Sequence, residues 1–168
     1  MSEEIINKVA LSGLITLDLA EFYTPGERMT YDLADHLYMG LILREKDLRE
    51  ALKSQDTSVF QGKFISIHCS ADAIIPQWAY MLLVLQMAPH ASYVHVGSPD
   101  ELEFALFQQA FDRHDFSPYE GQRVVVKGCG DIAIPSSVYG EITRRLQPLV
   151  KSLMFGEPCS TVPLFKKK

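Results

Sequence analysis

The feature that most constrains the fold is the alternation of short apolar runs with helical patterns after residue 60. Three runs rich in β-branched residues, 63–69, 92–97 and 123–129, are separated by stretches with helical spacing. Strand–helix–strand units of this length join neighbouring strands by right-handed crossovers and so build a parallel sheet. The sequence therefore predicts a three-layer α/β fold with a central, mostly parallel sheet and helices on both faces.

The helices between these runs have clear start signals. We predict them from Pro76 to Met87, from Pro99 to about Phe111, and from near Pro135 onward. Ser98, followed by Pro99 and two acidic residues, is typical of a capped helix start. The helix that ends at Met87 is apolar nearly all round, so we expect it to be buried on more than one side.

The first 60 residues contain short strand-like segments at 14–19, 29–33 and 37–43, followed by a charged helical segment at 45–53. We expect these strands at the edge of the sheet or in a small antiparallel layer against it. No linker interrupts the chain, so its 168 residues are predicted to form one domain.

That domain would comprise N-terminal short strands in residues 1–60, a βαβαβα core in 61–155 and a C-terminal tail in 156–168.

Composition excludes several classes of protein. The net charge of -5 argues against binding to duplex nucleic acid. The longest apolar run, from Ala79 to Leu85, is far shorter than the roughly 20 residues that cross a bilayer, so no membrane role is expected. The first residues lack the pattern of a secretory signal, and the three widely spaced cysteines fit a reducing compartment. We therefore expect a cytoplasmic protein.

Two loops that follow buried strands resemble each other. Asp72 and Asp131 each begin the pattern Asp-x-x-Ile-Pro, with a tyrosine four residues after the proline. Cys69 lies three residues before its aspartate and Cys129 two before, so the cysteines are out of register. Ligands of open parallel sheets bind outside the carboxyl ends of the strands, where both loops should lie. The aspartates are interpreted mainly as helix caps, and the cysteines as the chemically active groups.

A metal or iron–sulfur site is the leading hypothesis, because thiolates select zinc, copper(I) and iron–sulfur species. The spacing is not diagnostic, since there is no Cys-x-x-Cys pair. The candidate ligands are three thiols together with nearby imidazole and carboxylate groups. They are Cys69, Cys129, Cys159, His68, Asp72 and Asp131.

Cys159 is the doubtful member of this set. A helix running unbroken from Ser136 to Phe155 would carry the chain about 30 Å from Cys129. Cys159 therefore joins the site only if the chain turns back at Pro148, or if a second subunit of a homodimer supplies it.

Two other functions stay open. A small-molecule enzyme would use Cys69 or Cys129 as a nucleophile. His68 could activate Cys69 only if the strand has already ended, because adjacent residues of a strand point to opposite faces. A binding module without chemistry would dock a partner through an apolar surface, with Phe155 and Phe165 as candidate anchors.

The chain also resembles a bacterial family described only as a domain of unknown function, number 2480. The resemblance implies no activity, but it implies an association with iron–sulfur cluster assembly and with assembly proteins as partners. The stretches that carry it cover most of the chain. They are 41–47, 67–73, 78–82, 126–129, 143–148 and 151–164.

Overall fold

A computed structural model describes residues 13–128, 130–157 and 159–168. From residue 45 to residue 157 helices and strands alternate, and most strand pairs in the described ranges are parallel, which confirms the predicted α/β class with several layers. In chain order the elements are β1 (Leu14–Asp18), β2 (Arg28–Asp32), β3 (Leu37–Tyr38), β4 (Ile42–Leu43), α1 (Glu45–Ser54), β5 (Phe64–His68), α2 (Gln77–Met87), β6 (Tyr93–Val96), α3 (Pro99–Arg113), β7 (Arg123–Lys127), α4 (Ser136–Leu146), β8 (Ser152–Glu157) and β9 (Ser160–Lys166).

The chain divides into two compact units. Unit 1 comprises the described residues up to Thr24 together with those from Leu106 onward, and unit 2 comprises residues 25–105. The sheet of unit 1 has the order β1-β7-β8-β9, in which only β9 runs antiparallel to its neighbour. The sheet of unit 2 has the order β2-β5-β6 and is wholly parallel.

The predicted strands therefore do not share one central sheet. The run that became β7 lies in a different sheet from those that became β5 and β6. The cause is the pairing of the N-terminal strands, since β1 pairs with β7 and β2 pairs with β5. Each central strand thus has an edge strand from the N-terminal region on one side and the strand after its own crossover helix on the other.

The two units repeat one structure. Residues 56–98 and 115–157 align without a gap, at the constant offset that separates Asp56 from Asp115. At this offset β5 coincides with β7 and α2 coincides with α4, from first residue to last. The Asp-x-x-Ile-Pro loops are one segment of this longer repeat.

Hydrogen bonds at equivalent places support the repeat. Gly62 donates its backbone N–H to the carbonyl of His90, and its counterpart Gly121 donates to the carbonyl of Leu149, each over 2.9 Å. Both glycines have a positive φ, of 69° and 68°, which other residues adopt only with strain. In each unit this bond connects the turn before the central strand, β5 or β7, to the residues that follow the next helix, α2 or α4.

The core of each unit is built from equivalent positions. In unit 2, Ile65 and Ile67 of β5 pack in one buried cluster with residues of both flanking helices, namely Leu48, Leu52, Ala79, Leu83 and Met87. In unit 1, residues 124–126 of β7 are buried, as are Phe107 and Phe111 of α3 and Ile142 and Leu146 of α4. Each of the larger apolar side chains among them contributes roughly 1.5–3 kcal/mol of hydrophobic stabilisation.

Two expectations about the second half of the chain were wrong. Helix α2 is buried on one face only, since Met81 and Leu85 are exposed. The segment predicted as a C-terminal tail contains β9, which pairs antiparallel with β8. Helix α4 ends at Leu146, ahead of Pro148, and the chain then returns as strand β8.

Candidate functional site

The carboxyl end of the unit 2 sheet brings together Asp32 and His68, the last residues of two adjacent parallel strands. One carboxylate oxygen of Asp32 accepts the backbone N–H groups of Ala34 and Ser70, each over 2.9 Å. The other carboxylate oxygen lies 3.9 Å from Nε2 of His68. Asp32 therefore joins three segments, because it caps the following 3-10 turn, binds the loop after β5 and faces the imidazole.

The pKa of Asp32 is held below its ordinary value. The main cause is the hydrogen bond from the Ser70 side chain, which burial partly opposes. The backbone N–H groups of Ala34 and Ser70 lower the pKa further, and the nearby His68 ring adds to the effect. This carboxylate is thus an anion at neutral pH, with its hydrogen-bonding capacity directed at the loop that carries Cys69.

Cys69 follows the last residue of β5 and is half-buried. Its Sγ lies 3.6 Å from the carbonyl oxygen of Ala71. Burial raises the pKa of the Tyr80 hydroxyl, and the nearby Cys69 thiol adds to this rise. Cys69 therefore sits between the end of the strand and helix α2, while the imidazole of His68 faces Asp32.

The carboxyl end of the unit 1 sheet has an equivalent pair with a different cation. Lys127 takes the place of His68, and its Nζ lies 3.9 Å from a carboxylate oxygen of Asp18. The same Nζ is 3.3 Å from Oε1 of Glu157, at the end of β8. Lys127 thus links the carboxyl ends of β1, β7 and β8 by charge.

The predicted ligands are distributed over both units. Cys69, His68 and Asp72 belong to unit 2, while Asp131 and Cys159 belong to unit 1. Cys129 lies outside the described residues. Asp72, Asp131 and Cys159 are exposed. Within the described part of the chain, no three His, Cys, Asp or Glu side chains are grouped so that they could hold a metal ion.

The interpretation of Asp72 and Asp131 as helix caps was wrong. Helices α2 and α4 have Pro76 and Pro135 at the capping position, without a side-chain hydrogen bond. The proline lies between each aspartate and its helix, so the carboxylate is too far upstream to reach the first turn. Asp18, Asp32 and Asp56, by contrast, each cap the start of a 3-10 turn.

Asp18, Asp32, Lys127 and Glu157 were missed by the reasoning from sequence. A signal was present for the first two, because residues 16–20 and 30–34 share the pattern Thr-x-Asp-Leu-Ala. In both copies the leucine after the aspartate is fully buried and the aspartate ends the strand. A repeated pattern of this kind identifies a structural position that both units need.

Strand β9 creates two concave surfaces in unit 1. One, the aliphatic groove, has a volume of about 420 Å³ and is lined mainly by Val126, Tyr139, Ile142, Phe155, Val162 and Leu164. The other, the basic cleft, has a volume of about 460 Å³ and is lined mainly by Arg123, Lys151, Met154, Pro163, Phe165 and Lys166. Met154 and Pro163 of the cleft alternate along their strands with Phe155 and Val162 of the groove, whereas the adjacent Phe165 and Lys166 both line the cleft, beyond a shift in the β8–β9 register. Phe155 and Phe165, the candidate anchors, line one surface each.

Among the residues described, no helix is both long and apolar enough to span a membrane.

Comparison with known proteins gives a family but no activity. No curated protein and no solved structure matches the chain. A family model described as a protein of unknown function, DUF2480, matches residues 3–167. That description names no reaction, ligand or partner, and it gives no support to an association with iron–sulfur clusters. The match spans nearly the whole chain, and the chain therefore belongs to the DUF2480 family.

Proposed function

We propose that the protein is a binding module that takes up an acidic, partly apolar peptide segment of a partner in the basic cleft. The observation that carries the proposal is the composition of the cleft walls. Lys151 and Lys166 contribute two positive charges beside the apolar Phe165 and Met154, and Arg123 also lines the cleft. No Asp or Glu occurs among the described residues that line the cleft.

The charge of the cleft is opposite to that of the whole protein. The chain has a net charge of -5, so two lysines on one concave surface form a local reversal of sign. Such a surface attracts anionic groups and orients them, while the remaining surface repels them. Phe165 and Met154 supply the apolar contact that gives such an encounter affinity.

An extended peptide fits the cleft better than a small molecule does. Sites for small molecules bury most of the ligand surface. Here Arg123, Lys151, Pro163 and Lys166 are all exposed, so the walls leave one side of an occupant open to solvent. A chain segment that continues beyond the cleft has further surface with which to contact the protein.

The proposal is tested with two synthetic peptides that differ only in charge. One alternates Glu with Leu and Phe, and the other has Lys in place of every Glu. We expect the acidic peptide to bind in a fluorescence anisotropy titration and the basic one not to bind. Affinity should fall as salt is raised, because exposed charges are screened over about 8–10 Å.

Charge reversal locates the binding surface. Lys151→Glu and Lys166→Glu should each weaken acidic-peptide binding several-fold, and the double variant should weaken it further. Lys46→Glu is the matched control, because Lys46 is exposed on α1 and is not among the residues that line the cleft. Equal binding of both peptides, or equal weakening by the control, would contradict the proposal.

A second candidate function is a soft-metal accessory that binds zinc or an iron–sulfur cluster through thiols, in the cytoplasm. The observation that favours it is the 3.3 Å contact between Lys127 and Glu157. This contact joins the ends of β7 and β8, and Cys159 lies just beyond β8, as Cys129 lies just beyond β7 in the sequence. Free thiols of this kind require a reducing compartment.

Metal titration separates this candidate from the first. Zinc affinity measured with a competing chromophoric chelator should fall in Cys129→Ser and Cys159→Ser, with Cys69→Ser as the control. Protein purified without oxygen should contain zinc, or iron with visible absorption. A metal-free, colourless protein with unchanged zinc affinity in the double variant would eliminate the candidate.

A further inference from the structure

Helix α2 has an exposed apolar face. Its buried positions, Ala79, Leu83 and Met87, face the core of unit 2. On the other side Met81 is 67% exposed and Leu85 is 73% exposed. No residue from Gln77 to Met87 carries a charge, so this face lacks the solvating groups of an ordinary surface helix.

The internal repeat shows that this composition is not required by the fold. Helix α4 occupies the equivalent place in unit 1 and buries the equivalent residues Val138, Ile142 and Leu146. At its exposed positions, however, Gly140 stands where Met81 stands in α2, and Arg144 where Leu85 stands. One architecture thus has a polar exposed face in one unit and an apolar face in the other, which marks the α2 face as an interaction surface.

The exposed positions form a stripe at helical spacing. Gln77, Met81 and Leu85 recur every fourth residue, and Ile74, which is 94% exposed, extends the stripe just before the helix. Trp78 and Leu82 flank it and are half-buried. The stripe thus runs the length of the helix.

Electrostatics narrows the choice of occupant. A charged group pressed against this stripe would lose its hydration without gaining an ion pair, because α2 offers no charge in return. The matching surface must therefore be uncharged along a comparable length. A second copy of the same stripe meets this requirement, and a two-fold arrangement closes without leaving an open chain of subunits.

We propose that a second copy of this chain packs against the stripe, with the two α2 helices antiparallel across a two-fold axis. When the two copies of the stripe overlap from Gln77 to Leu85, Gln77 lies opposite the partner's Leu85. It also sets Met81 beside the axis, opposite the partner's Met81. This dimer does not depend on the basic cleft, which belongs to unit 1.

The geometry specifies a charge-swap experiment. Sedimentation velocity over roughly 1–100 µM should show wild-type dimers with a dissociation constant in that range. Met81→Lys and Met81→Glu should each be monomeric, because like charges meet at the axis. An equimolar mixture of the two variants should form a heterodimer, because opposite charges then meet.

The matched control is Gly140→Lys, which places the same charge at the equivalent exposed position of α4. A side chain there has open space, since nothing lies within 4 Å of an added Cβ. The control should dimerise like wild type. Leu85→Lys provides a second disruptive variant, and circular dichroism checks that each variant is folded.

Three results would overturn the proposal. A wild-type protein that stays monomeric over the concentration range would exclude a second copy as the occupant. So would Met81 variants that dimerise as strongly as wild type. Dimers that dissociate in both Met81 variants but do not reform on mixing would exclude the antiparallel two-fold arrangement.

Discussion

The hydroxyl of Tyr139 donates a hydrogen bond to the backbone carbonyl of Gly128 over 2.9 Å. This contact ties helix α4 to the end of strand β7 so closely that a Cβ on Gly128 would lie 2.5 Å from Cε1 of the Tyr139 ring. The equivalent position in unit 2 holds Cys69, beside the equivalent Tyr80. At this equivalent position unit 1 therefore has a hydrogen bond between the tyrosine and a glycine carbonyl, whereas unit 2 has a thiol beside the tyrosine.

Gly128→Ala should destabilise the protein by about 1–3 kcal/mol, because the added methyl group forces the Tyr139 ring away. The measurement is the midpoint of urea unfolding at unchanged slope. Gly130→Ala is the control, since nothing lies within 4 Å of a Cβ there, and it should change stability by less than about 0.5 kcal/mol.

Tyr139→Phe, which removes the hydroxyl, should cost about 1 kcal/mol on its own. In combination with Gly128→Ala its cost should shrink, because the two residues are in contact and their effects are not additive. Strict additivity would contradict the close approach.

Glu141 should make the stability of the folded protein depend on pH. Its carboxylate is nearly buried and binds Arg144 and Arg145 at 2.7 Å and 2.6 Å. The Arg144 hydrogen bond is the main cause that lowers the pKa of Glu141 below its ordinary value. A lowered folded-state pKa contributes stability above the unfolded pKa and loses it as the pH falls through the folded value.

Glu141→Gln should therefore destabilise the protein by about 1–2 kcal/mol at pH 7. The difference from wild type should shrink as the pH falls from about 5 to about 3, across the ordinary glutamate range. Thermal unfolding at a series of pH values measures this difference in stability. Glu50→Gln, on an exposed helix face, is the control. A difference that stays constant with pH would show that the pair contributes nothing through charge.

The strands and helices from residue 60 to Leu146 were predictable because strand runs and helix starts are local signals. Ser98 illustrates this, since it lies at the predicted helix start and exchanges capping hydrogen bonds with Glu101, over 3.3 Å and 2.7 Å. The division into two sheets was not predictable, because it depends on whether β1 or β2 pairs with a given central strand. The two N-terminal strands share one sequence pattern, so only tertiary packing distinguishes their partners.

The candidate site shows the same limit. Cys69 was identifiable as a loop thiol, but Asp32, the carboxylate that binds its loop through Ser70, comes from a position remote in sequence. The Asp-x-x-Ile-Pro similarity was visible, yet it drew attention to Asp72 rather than to Asp32, which does the capping. The alignment on the aspartates was not extended beyond the loops, so the longer gapless repeat, in which Cys69 corresponds to Gly128, was missed.

Arg28 and Glu103 form a two-pronged ion pair within unit 2. Nε and one terminal nitrogen of the guanidinium bind the two carboxylate oxygens at 2.7 Å and 3.0 Å, and both side chains are largely buried. Arg28→Lys keeps the charge but loses the planar fork and the contact with the Phe64 ring, at 5.0 Å.

We expect Arg28→Lys to cost about 1–2 kcal/mol in urea unfolding. Arg49→Lys is the control, because its 2.8 Å pair with Glu45 is solvent-exposed and should contribute under about 0.5 kcal/mol. Equal effects of the two substitutions would show that geometry and burial do not strengthen the Arg28 pair.

The repeated aspartates offer an internally matched comparison. Asp18 and Asp32 both cap a 3-10 turn, accepting the N–H of Ala20 and Ala34 over 2.9 Å. Asp32 also accepts the N–H of Ser70, which ties down the loop after β5. Asp32→Ala should therefore cost about 1–2 kcal/mol and Asp18→Ala about 0.5–1 kcal/mol, because one variant loses two backbone bonds and the other loses one.

The pH dependence of stability provides a second test of the role of Asp32. Since its pKa is lowered in the folded state, the stability that it contributes is present above the ordinary aspartate pKa and disappears as the pH falls below it. The gap between wild type and Asp32→Ala should narrow between about pH 5 and about pH 2. Asp32→Asn should recover part of the loss at neutral pH, because the amide oxygen still accepts a backbone N–H. If Asp18→Ala proves as costly as Asp32→Ala at every pH, the bond to the Ser70 loop contributes nothing to stability.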